Sequence, residues 1–342
     1  MSNPFTPYLR RASNGETFGE RDMQAAIDAI LAGSVSDVET AGFLMALRAR
    51  GETIEEIIGA ARAMRAAATP VTTPHDVIDT AGTGGDGAAT YNISTAAALI
   101  AAGAGAKVAK HGNRAASSLS GSSDVLAAAG VNLSASPKTI SACIDQAGVG
   151  FMFAAFHHKA VAQVAGVRKA LGIRTLFNLL GPLTNPAGAR RQLMGVFDET
   201  LLTPLANALR ALGGTHGWVV HGMDGLDELS ISGPSQVCAF TPEGTSTFEV
   251  TPGDAGLAIH PIEAIKGGTP EENHKALVQL LDGEKNAYRD VAVLNAAAAL
   301  VVGGLADTLE DGAHRAANAI DKGKARAVLA QLVALSQRVT VP

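Results

Sequence analysis

The first 70 residues show one periodicity throughout, with apolar residues recurring every three or four positions. This spacing predicts helices alone in this part of the chain. The stretch TPVTTP at 69–74 places two prolines close together, which ends a helix and predicts a linker. We therefore expect an N-terminal helical domain over 1–72. Capping boxes are predicted at two helix starts, Ser36 with Glu39 and Thr53 with Glu56.

From about residue 75 the pattern changes to short apolar runs that alternate with helical periodicity. Strands are predicted at 77–80, 106–111, 149–154, 191–197 and 217–222. Helices are predicted at 122–130, 136–148, 159–172, 201–213 and from about 286, with one more running from a cap at Ser94 or Thr95 to Ala102. The alternation predicts an α/β fold with a central, mostly parallel sheet flanked by helices.

Two further stretches lack this regular alternation. The stretch FNLLGPLTNP at 177–186 contains two prolines and a glycine, so we expect it to form a loop. Residues 228–251 are expected to be rich in strands and turns.

The charge of the chain limits its partners. The net charge is −5, from 27 basic and 32 acidic residues, and no stretch forms a basic stripe. Nucleic acid is therefore not a favoured partner. A mildly acidic chain that binds an anion must do so locally, with a few placed groups or a metal. The two cysteines, Cys143 and Cys238, are far apart in sequence and are expected to be free thiols in a reducing compartment.

The compartment is predicted from the same composition. The N-terminal stretch MSNPFTPYLRRAS lacks the apolar core of a signal peptide. The longest apolar runs, such as 96–106, are too short and too rich in glycine to span a bilayer. We expect a cytoplasmic protein with no membrane partner.

The stretch DTAGTGGDGAATYNIST at 79–95 combines glycines with hydroxyl, amide and carboxylate side chains after a predicted strand. Gly82, Gly84 and Gly87 formally match G-x-G-x-x-G, so a dinucleotide-binding loop is one interpretation. Against it, the loop continues to Asn92 before a helix can start, and the next strand ends in a basic run instead of an acidic residue. A Walker A loop is excluded, because no Gly-Lys-Ser/Thr follows.

A cradle for a sugar phosphate is the interpretation that we favour. Glycines let main-chain N–H groups approach phosphate oxygens that a Cβ would keep away. Ser94 and Thr95 lie at a predicted helix N-terminus, which favours an anion. The hydroxyl of Ser94 can also be a hard oxygen ligand for Mg²⁺.

A second polar cluster follows the next strand, in KHGNRAASSLSGSSD at 110–124. Lys110 and Arg114 beside serines and free N–H groups indicate a second anion site. Both clusters follow predicted strands, and ligands of open α/β sheets bind at the carboxyl edge. Two such clusters at one edge therefore favour anion binding over a pair of solvated polar loops.

These motifs carry a resemblance to a known family. The chain contains, in order, GTGGDGAATYNIST, KHGNRAASSLSGSSDVL, RKALGIRTLFNLLGPLTNP and GLDELS. It resembles the anthranilate phosphoribosyltransferases of tryptophan biosynthesis over about residues 20–330. The resemblance implies a small all-helical domain, with a contribution from about 160–188, hinged to a larger α/β domain over 73–342. It also implies a homodimer through the helical domain.

The resemblance further implies the reaction and its participants. The phosphoribosyl group of 5-phosphoribosyl 1-pyrophosphate passes to the amine of anthranilate, with Mg²⁺ required. The residues implied to bind 5-phosphoribosyl 1-pyrophosphate are Gly82, Gly85, Asp86, Thr90, Asn92, Ser94, Thr95, Lys110, Asn113, Arg114, Ala115, Ser117, Ser118 and Ser122. No protein nucleophile is needed, because pyrophosphate leaves readily once its charge is neutralised.

Anthranilate and the metal have their own implied contacts. Those to anthranilate are Gly82, His111, Asn113 and Arg168, and those to Mg²⁺ are Ser94, Asp227 and Glu228. Arg168 can pair with a carboxylate and Asn113 can accept from an amine. Without the resemblance, Arg168 would be interpreted as a solvated helix end and the Asp227–Glu228 pair as surface charge.

One segment departs from the family, and two other classes compete. In FAAFHHKAV at 153–161, Ala155 and Lys159 replace prolines of the family's run while His158 remains. A pyrimidine nucleoside phosphorylase would share the general fold but carries a Lys-His-Ser-Thr-Gly-Gly run in place of GTGGD. A non-catalytic relative that binds nucleic acid should be basic and should lose parts of the substrate motifs.

Overall fold

The computed structural model describes residues 4–114 and 119–338. Within these residues the helices are α1 (Thr6–Ser13), α2 (Glu20–Leu31), α3 (Asp37–Arg50), α4 (Ile54–Ala66), α5 (Ile93–Gly103), α6 (Ser122–Ala128), α7 (Pro137–Ala147), α8 (Ala154–His157), α9 (Ala162–Leu171), α10 (Phe177–Leu183), α11 (Leu202–Ala211), α12 (Pro270–Leu281), α13 (Ala287–Val302), α14 (Leu309–Asp321) and α15 (Lys324–Ser336). The strands are β1 (Ile78–Gly82), β2 (Val108–Gly112), β3 (Val149–Phe153), β4 (Arg191–Gly195), β5 (His216–Gly222), β6 (Ser235–Thr241) and β7 (Gly244–Val250). Short 3-10 helices occupy Lys159–Val161, Glu199–Leu201, Pro252–Ala255 and Ile262–Ile265.

Two compact units make up the chain, and each is built from two stretches of sequence. The helical unit contains the chain up to Thr69 together with Ala154–Pro186. The α/β unit contains Pro70–Phe153 and the chain from Ala187 onward. The stretch 69–74, predicted as a linker, contains neither helix nor strand and includes the first boundary.

The helical unit begins its helices as the sequence predicts. Both capping boxes are present. The hydroxyls of Ser36 and Thr53 accept from the main-chain N–H of the glutamate three residues on, and the carboxylate of that glutamate accepts from the main-chain N–H of Ser36 or Thr53. In its core Phe43 makes edge-on ring contacts with Phe5 at 5.3 Å and with Phe18 at 5.6 Å. Such contacts add to the burial of apolar area.

One seven-stranded sheet, in the order β3-β2-β1-β4-β5-β6-β7, organises the α/β unit. The strands β1 to β5 are parallel to one another, while β6 pairs antiparallel with β5 and β7 pairs antiparallel with β6. This confirms the predicted mostly parallel sheet, and the two antiparallel strands account for the turn-rich stretch 228–251.

The alanine-rich helices α5 and α13 pack on each other, and nearly every residue of both is buried. Alanine permits this because its small side chain lets two helix backbones approach closely. Although both helices are apolar, no helix among the described residues combines the length and hydropathy that crossing a membrane requires.

Two local predictions need correction. The stretch 177–186 is not a loop throughout, because Phe177–Leu183 is helical with Pro182 inside it. The burial of Leu179, Leu180 and Leu183 outweighs the local signal of the proline and glycine. The helix predicted to be capped by Ser94 or Thr95 begins at Ile93 instead.

Candidate active site

The carboxyl ends of β1 and β4 meet where the strand order reverses. The chain runs outward from β1 through β2 to β3 and then returns to β4 on the other side of β1. Ligands of open α/β sheets bind in the crevice that such a reversal leaves at the carboxyl edge. Gly82, the last residue of β1, pairs there with Gly195, the last residue of β4.

Asp227 lies directly against these two glycines. A side chain at Gly82 would collide with the Asp227 carboxylate, and one at Gly195 would collide with the Asp227 main chain. The N–H of Gly84 donates to Asp227 Oδ2 at 2.7 Å. Glycine at both strand ends therefore allows an acidic group to reach the carboxyl edge of the sheet.

Asp227 and Glu228 form a half-buried acidic pair. Desolvation raises the pKa of Asp227 well above its ordinary value, and the charges of Glu228 and Asp86 raise it further. Desolvation also raises the pKa of Glu228 to about 7, with the Lys110 ammonium opposing the rise and Asp86 adding to it. A divalent cation would relieve this repulsion between neighbouring carboxylates.

Lys110 places its ammonium inside the same site, with its side chain almost wholly buried. Its Nζ donates to the carbonyl oxygen of Thr80 and, at 3.1 Å, to Ser94 Oγ. Burial lowers the pKa of Lys110, while the negative charges of Asp79 and Glu228 oppose that change. Lys110 therefore holds Ser94 in place and balances the acidic pair, whereas a direct bond to phosphate stays a prediction.

The first turn of α5 presents two hydroxyl groups to this edge. Ser94 hydrogen-bonds to Glu228 through both its main chain and its hydroxyl, which favours the charged carboxylate. The hydroxyl of Thr95 is buried and has no hydrogen-bond partner among the described residues. First-turn N–H groups and the helix dipole favour an anion here. An oxygen-rich ligand would satisfy the unpaired hydroxyl.

Between β1 and α5 the glycine loop takes a backbone that most residues avoid. Gly85 has φ +82°, and Ala89, with φ +50°, is the one residue other than glycine with positive φ in the described chain. Asp86 stabilises the turn because its Oδ1 accepts from the N–H of Ala88 at 3.1 Å. Thr90 ends the loop in an isolated antiparallel bridge with Lys266. The loop is thus held in a defined shape.

The second polar cluster begins at the end of β2. The N–H of His111 donates to Asp79 Oδ1 at 3.1 Å, and the imidazole is buried. Asn113 and Arg114 are exposed, with the N–H of Arg114 donating to Asn113 Oδ1 at 2.8 Å. Ser122 opens α6. The predicted residues Ala115, Ser117 and Ser118 lie outside the described residues.

Arg168 belongs to the helical unit, in the last turn of α9. Its guanidinium is half-buried and lies 5.8 Å from the ring centre of Phe177. Burial lowers the pKa of Arg168. It is therefore not the fully solvated helix end that its local sequence indicates, and a cation held beside an aromatic ring can pair strongly with a carboxylate.

The donor set at the acidic pair suits a hard cation. Within residues 4–114 and 119–338, no three His, Cys, Asp or Glu side chains come together to hold a metal by themselves. Mg²⁺ needs only one or two carboxylates, because it keeps waters and binds substrate phosphates. Asp227, Glu228 and the Ser94 hydroxyl meet that requirement.

Several residues that shape the site were missed by the sequence analysis. Gly195 ends the strand β4. A glycine at the carboxyl end of a predicted strand was the signal that could have indicated a close approach of another segment there. Asp224 organises the turn before the acidic pair, since its Oδ2 accepts from the hydroxyls of Ser230 and Ser232. Asn295 on α13 bonds the main chain beside Glu228. Nothing in its local sequence marks that role.

Comparison with known proteins identifies the family of the chain. Residues 6–68 match the helical bundle domain of the glycosyl transferase family, and residues 74–326 match its α/β domain. The anthranilate phosphoribosyltransferase of Beijerinckia indica is 53% identical over 98% of each chain. The chain therefore belongs to this glycosyl transferase family, among the anthranilate phosphoribosyltransferases.

Solved structures show the same fold. The anthranilate phosphoribosyltransferase of Thermus thermophilus has a TM-score of 0.92 at 44% identity, covering 97% of this chain and 99% of its own. The Saccharomyces cerevisiae enzyme in complex with PRPP (5-phosphoribosyl 1-pyrophosphate) and Mg has a TM-score of 0.90 at 28% identity, covering 98% of each chain. Full-length similarity of this kind does not favour either competing class.

Proposed function

We propose that the protein transfers the phosphoribosyl group of 5-phosphoribosyl 1-pyrophosphate to the amine of anthranilate, releasing pyrophosphate, in tryptophan biosynthesis. The observation that carries the proposal is the half-buried Asp227–Glu228 pair, held against Ser94 and Lys110 at the reversal point of the sheet. The family membership supports the same reaction.

The acidic pair and Ser94 would hold Mg²⁺. Bound Mg²⁺ supplies charge neutralisation to the pyrophosphate leaving group. The ammonium of Lys110 donates a hydrogen bond to Ser94 Oγ, which keeps the hydroxyl of Ser94 directed toward Glu228. The two carboxylates are desolvated and repel other negative charges at the site, which is the physical reason that a cation is needed here.

The two polar clusters would bind 5-phosphoribosyl 1-pyrophosphate. The glycine loop lets the ligand approach the main chain at Gly82, Gly85 and Thr90, and the start of α5 offers its N–H groups and the hydroxyl of Thr95. Asp86 and Asn92 shape that loop. The second cluster adds Lys110, Asn113, Arg114 and Ser122, together with the predicted Ala115, Ser117 and Ser118.

Anthranilate would contact Arg168 through its carboxylate and Asn113 through its amine, with His111 and Gly82 as its further contacts, as the family resemblance implies. The amine then attacks the ribose carbon as the bond to pyrophosphate breaks, and the cationic nitrogen formed in this step afterwards releases one proton. Positive charge develops on the ribose in the transition state, so the protein acts by positioning the reactants and by stabilising the departing anion. No protein nucleophile takes part.

Loss of anthranilate fluorescence tests the proposal directly. Folded protein mixed with anthranilate, 5-phosphoribosyl 1-pyrophosphate and Mg²⁺ should consume anthranilate, and omission of any one component should stop it. No turnover from folded protein would contradict the proposed function. Phosphorolysis of a pyrimidine nucleoside with inorganic phosphate would instead favour the competing class.

We also propose that the protein is a homodimer through its helical unit and acts in the cytoplasm, as the family resemblance implies. Sedimentation equilibrium should return twice the mass of one chain, and a single-chain mass at micromolar concentration would contradict the dimer.

A further inference from the structure

A short segment, Ile265–Gly268, runs along the glycine loop, and we call it the brace. The N–H of Tyr91 donates to the carbonyl oxygen of Ile265 at 2.9 Å, and the N–H of Gly267 donates to that of Ala89 at 2.9 Å. Lys266 Nζ donates to the carbonyl oxygen of Ala88. The brace therefore supports the loop along the part that leads into α5.

Contact between the two is close at Gly267. A side chain on Gly267 would lie 2.6 Å from the carbonyl oxygen of Thr90, which is nearer than real Cβ atoms approach. The main chains of brace and loop therefore touch directly. Any displacement of the brace would be passed to Thr90 and Tyr91.

Asn273, on α12, fixes the other end of the brace. The residue is only 2% exposed, its Oδ1 accepts from the N–H of Gly268 at 2.7 Å, and its Nδ2 donates to Asn92 Oδ1 at 2.9 Å. The orientation of its amide follows from chemistry, because a main-chain N–H can only donate. The amide nitrogen of Asn273 must then face Asn92.

Asn92 continues the same chain of hydrogen bonds. Its Oδ1 receives the bond from Asn273, so its Nδ2 is left to donate to the carbonyl oxygen of Ser120 at 3.0 Å. Ser120 lies in the second polar cluster, two residues before the start of α6. Two amides in series thus connect the brace, the glycine loop and the second cluster, although more than 150 residues separate Asn92 from Asn273.

We propose that Asn273 is a positioning residue for 5-phosphoribosyl 1-pyrophosphate, acting through Asn92. The role rests on the proposed function. In it, the side-chain amides of Asn273 and Asn92 hold the two phosphate-binding clusters at a fixed spacing. One ligand must meet both clusters at once, so its affinity depends on that spacing. Anthranilate, held chiefly by Arg168, does not depend on it in the same way.

Steady-state kinetics of Asn273→Ala and Asn273→Asp test this role. The aspartate keeps an acceptor for Gly268 but turns a second oxygen toward Asn92 Oδ1, so it should fail as the alanine does. We expect KM for 5-phosphoribosyl 1-pyrophosphate to rise about tenfold or more, with KM for anthranilate changing less than about twofold. Equal changes in both constants, or no change, would overturn the assignment.

Two controls separate positioning from general loss of stability. Leu281→Ala removes a buried side chain from the same helix and should lower the thermal midpoint without splitting the two KM values. In an Asn92→Ala background, Asn273→Ala should have little further effect, because the bond through which it acts is already gone. Additive effects would show that Asn273 acts by another route.

Calorimetric titration with magnesium pyrophosphate provides a readout that needs no turnover. Binding about tenfold weaker in Asn273→Ala than in wild type supports the inference. Equal binding overturns it even if wild type turns over anthranilate. Wild-type protein that binds magnesium pyrophosphate but consumes no anthranilate would contradict the proposed function. In that case the comparison of binding between wild type and Asn273→Ala alone decides the role of Asn273.

Discussion

The side chain of Asn295 hydrogen-bonds to both main-chain polar groups of Leu229. The N–H of Leu229 donates to Asn295 Oδ1 at 3.0 Å, and Asn295 Nδ2 donates to the Leu229 carbonyl oxygen at 2.9 Å. Both residues are wholly buried, and Leu229 directly follows Glu228. The long helix α13 therefore fixes the position of the acidic pair from within the core.

Asn295→Leu should weaken both the fold and the response to Mg²⁺. It leaves two buried main-chain groups without partners, which should lower the free energy of unfolding by roughly 2–6 kcal/mol. The Mg²⁺ concentration for half-maximal turnover should rise, since the main chain that follows Glu228 loses its anchor to α13. Asn286→Ala, which removes the cap of α13, should cost about 1 kcal/mol and leave the Mg²⁺ requirement unchanged.

Replacing the acidic pair should abolish Mg²⁺-dependent turnover. Asp227→Asn and Glu228→Gln keep the size of each side chain but remove the charge that a cation needs. Turnover against Mg²⁺ concentration measures the effect, with Glu249→Gln on the exposed face of β7 as the control. Unchanged Mg²⁺ dependence in both variants would rule out their role as ligands.

Gly195→Ala should reduce activity by roughly 100-fold, because its methyl group must displace the main chain of Asp227. Gly244→Ala is a matched control, since a Cβ there meets no atom within 4 Å. The comparison uses kcat/KM and the thermal midpoint of each variant. If both variants were equally active, the close approach of Asp227 to β4 would not matter for the reaction.

Arg168→Ala should raise KM for anthranilate far more than KM for 5-phosphoribosyl 1-pyrophosphate. The guanidinium is proposed to bind the carboxylate that only anthranilate carries in that position, and losing a charged hydrogen bond of this kind costs about 1.5–3 kcal/mol. Lys169→Ala, one residue further along α9 and exposed, is the control. A similar rise in both KM values argues against the carboxylate assignment.

His158 should make the stability of the protein fall as the pH falls from about 6.5 to about 4. Burial and then the neighbouring His157 lower the pKa of His158 to about 4, against hydrogen bonds with the main chain of Thr184 and Met64. In this window the unfolded chain binds the proton more readily, so about 3 kcal/mol of stability is present above pH 6.5 and lost toward pH 4.

Denaturant unfolding at several pH values tests this contribution. His158→Gln should flatten the pH dependence of the free energy of unfolding over that window, whereas the exposed His314→Gln should not. The difference between the wild-type and variant free energies of unfolding cancels the contributions of titrating groups that both proteins share. Identical slopes for wild type and His158→Gln would contradict the prediction.

Local signals were sufficient for much of the fold. Strand runs with their apolar residues, and the capping boxes at Ser36 and Thr53, depend on neighbours within a few positions, and both predictions are confirmed. The helix over Phe177–Leu183 was missed because burial of its leucines, a property of the folded unit, overrides the proline signal. Gly82, Asp86 and Ser94 could be proposed as ligand contacts from the sequence because they belong to one continuous motif, and these roles stay predictions.

The supporting residues of the site could not be found in this way. Asn273 and Asn295 act on residues that are far away along the chain, and each lies in an ordinary helical sequence. A buried asparagine in a helix can support a ligand-binding loop or can satisfy only the polar groups of its own helix. Which of these it does depends on the strand ends that lie opposite it. That information appears only when the sheet order is known.

The division of the helical unit into two stretches has a consequence for biosynthesis. Helices α2, α3 and α4 of the first stretch pack against α9 and α10 of the second. At a translation rate of roughly 5–20 residues per second, the ribosome takes on the order of ten seconds to pass from Thr69 to the end of that second stretch. During this interval the nascent first stretch exposes the apolar surface that α9 and α10 will cover, so the helical unit cannot complete its core until the second stretch has been synthesised.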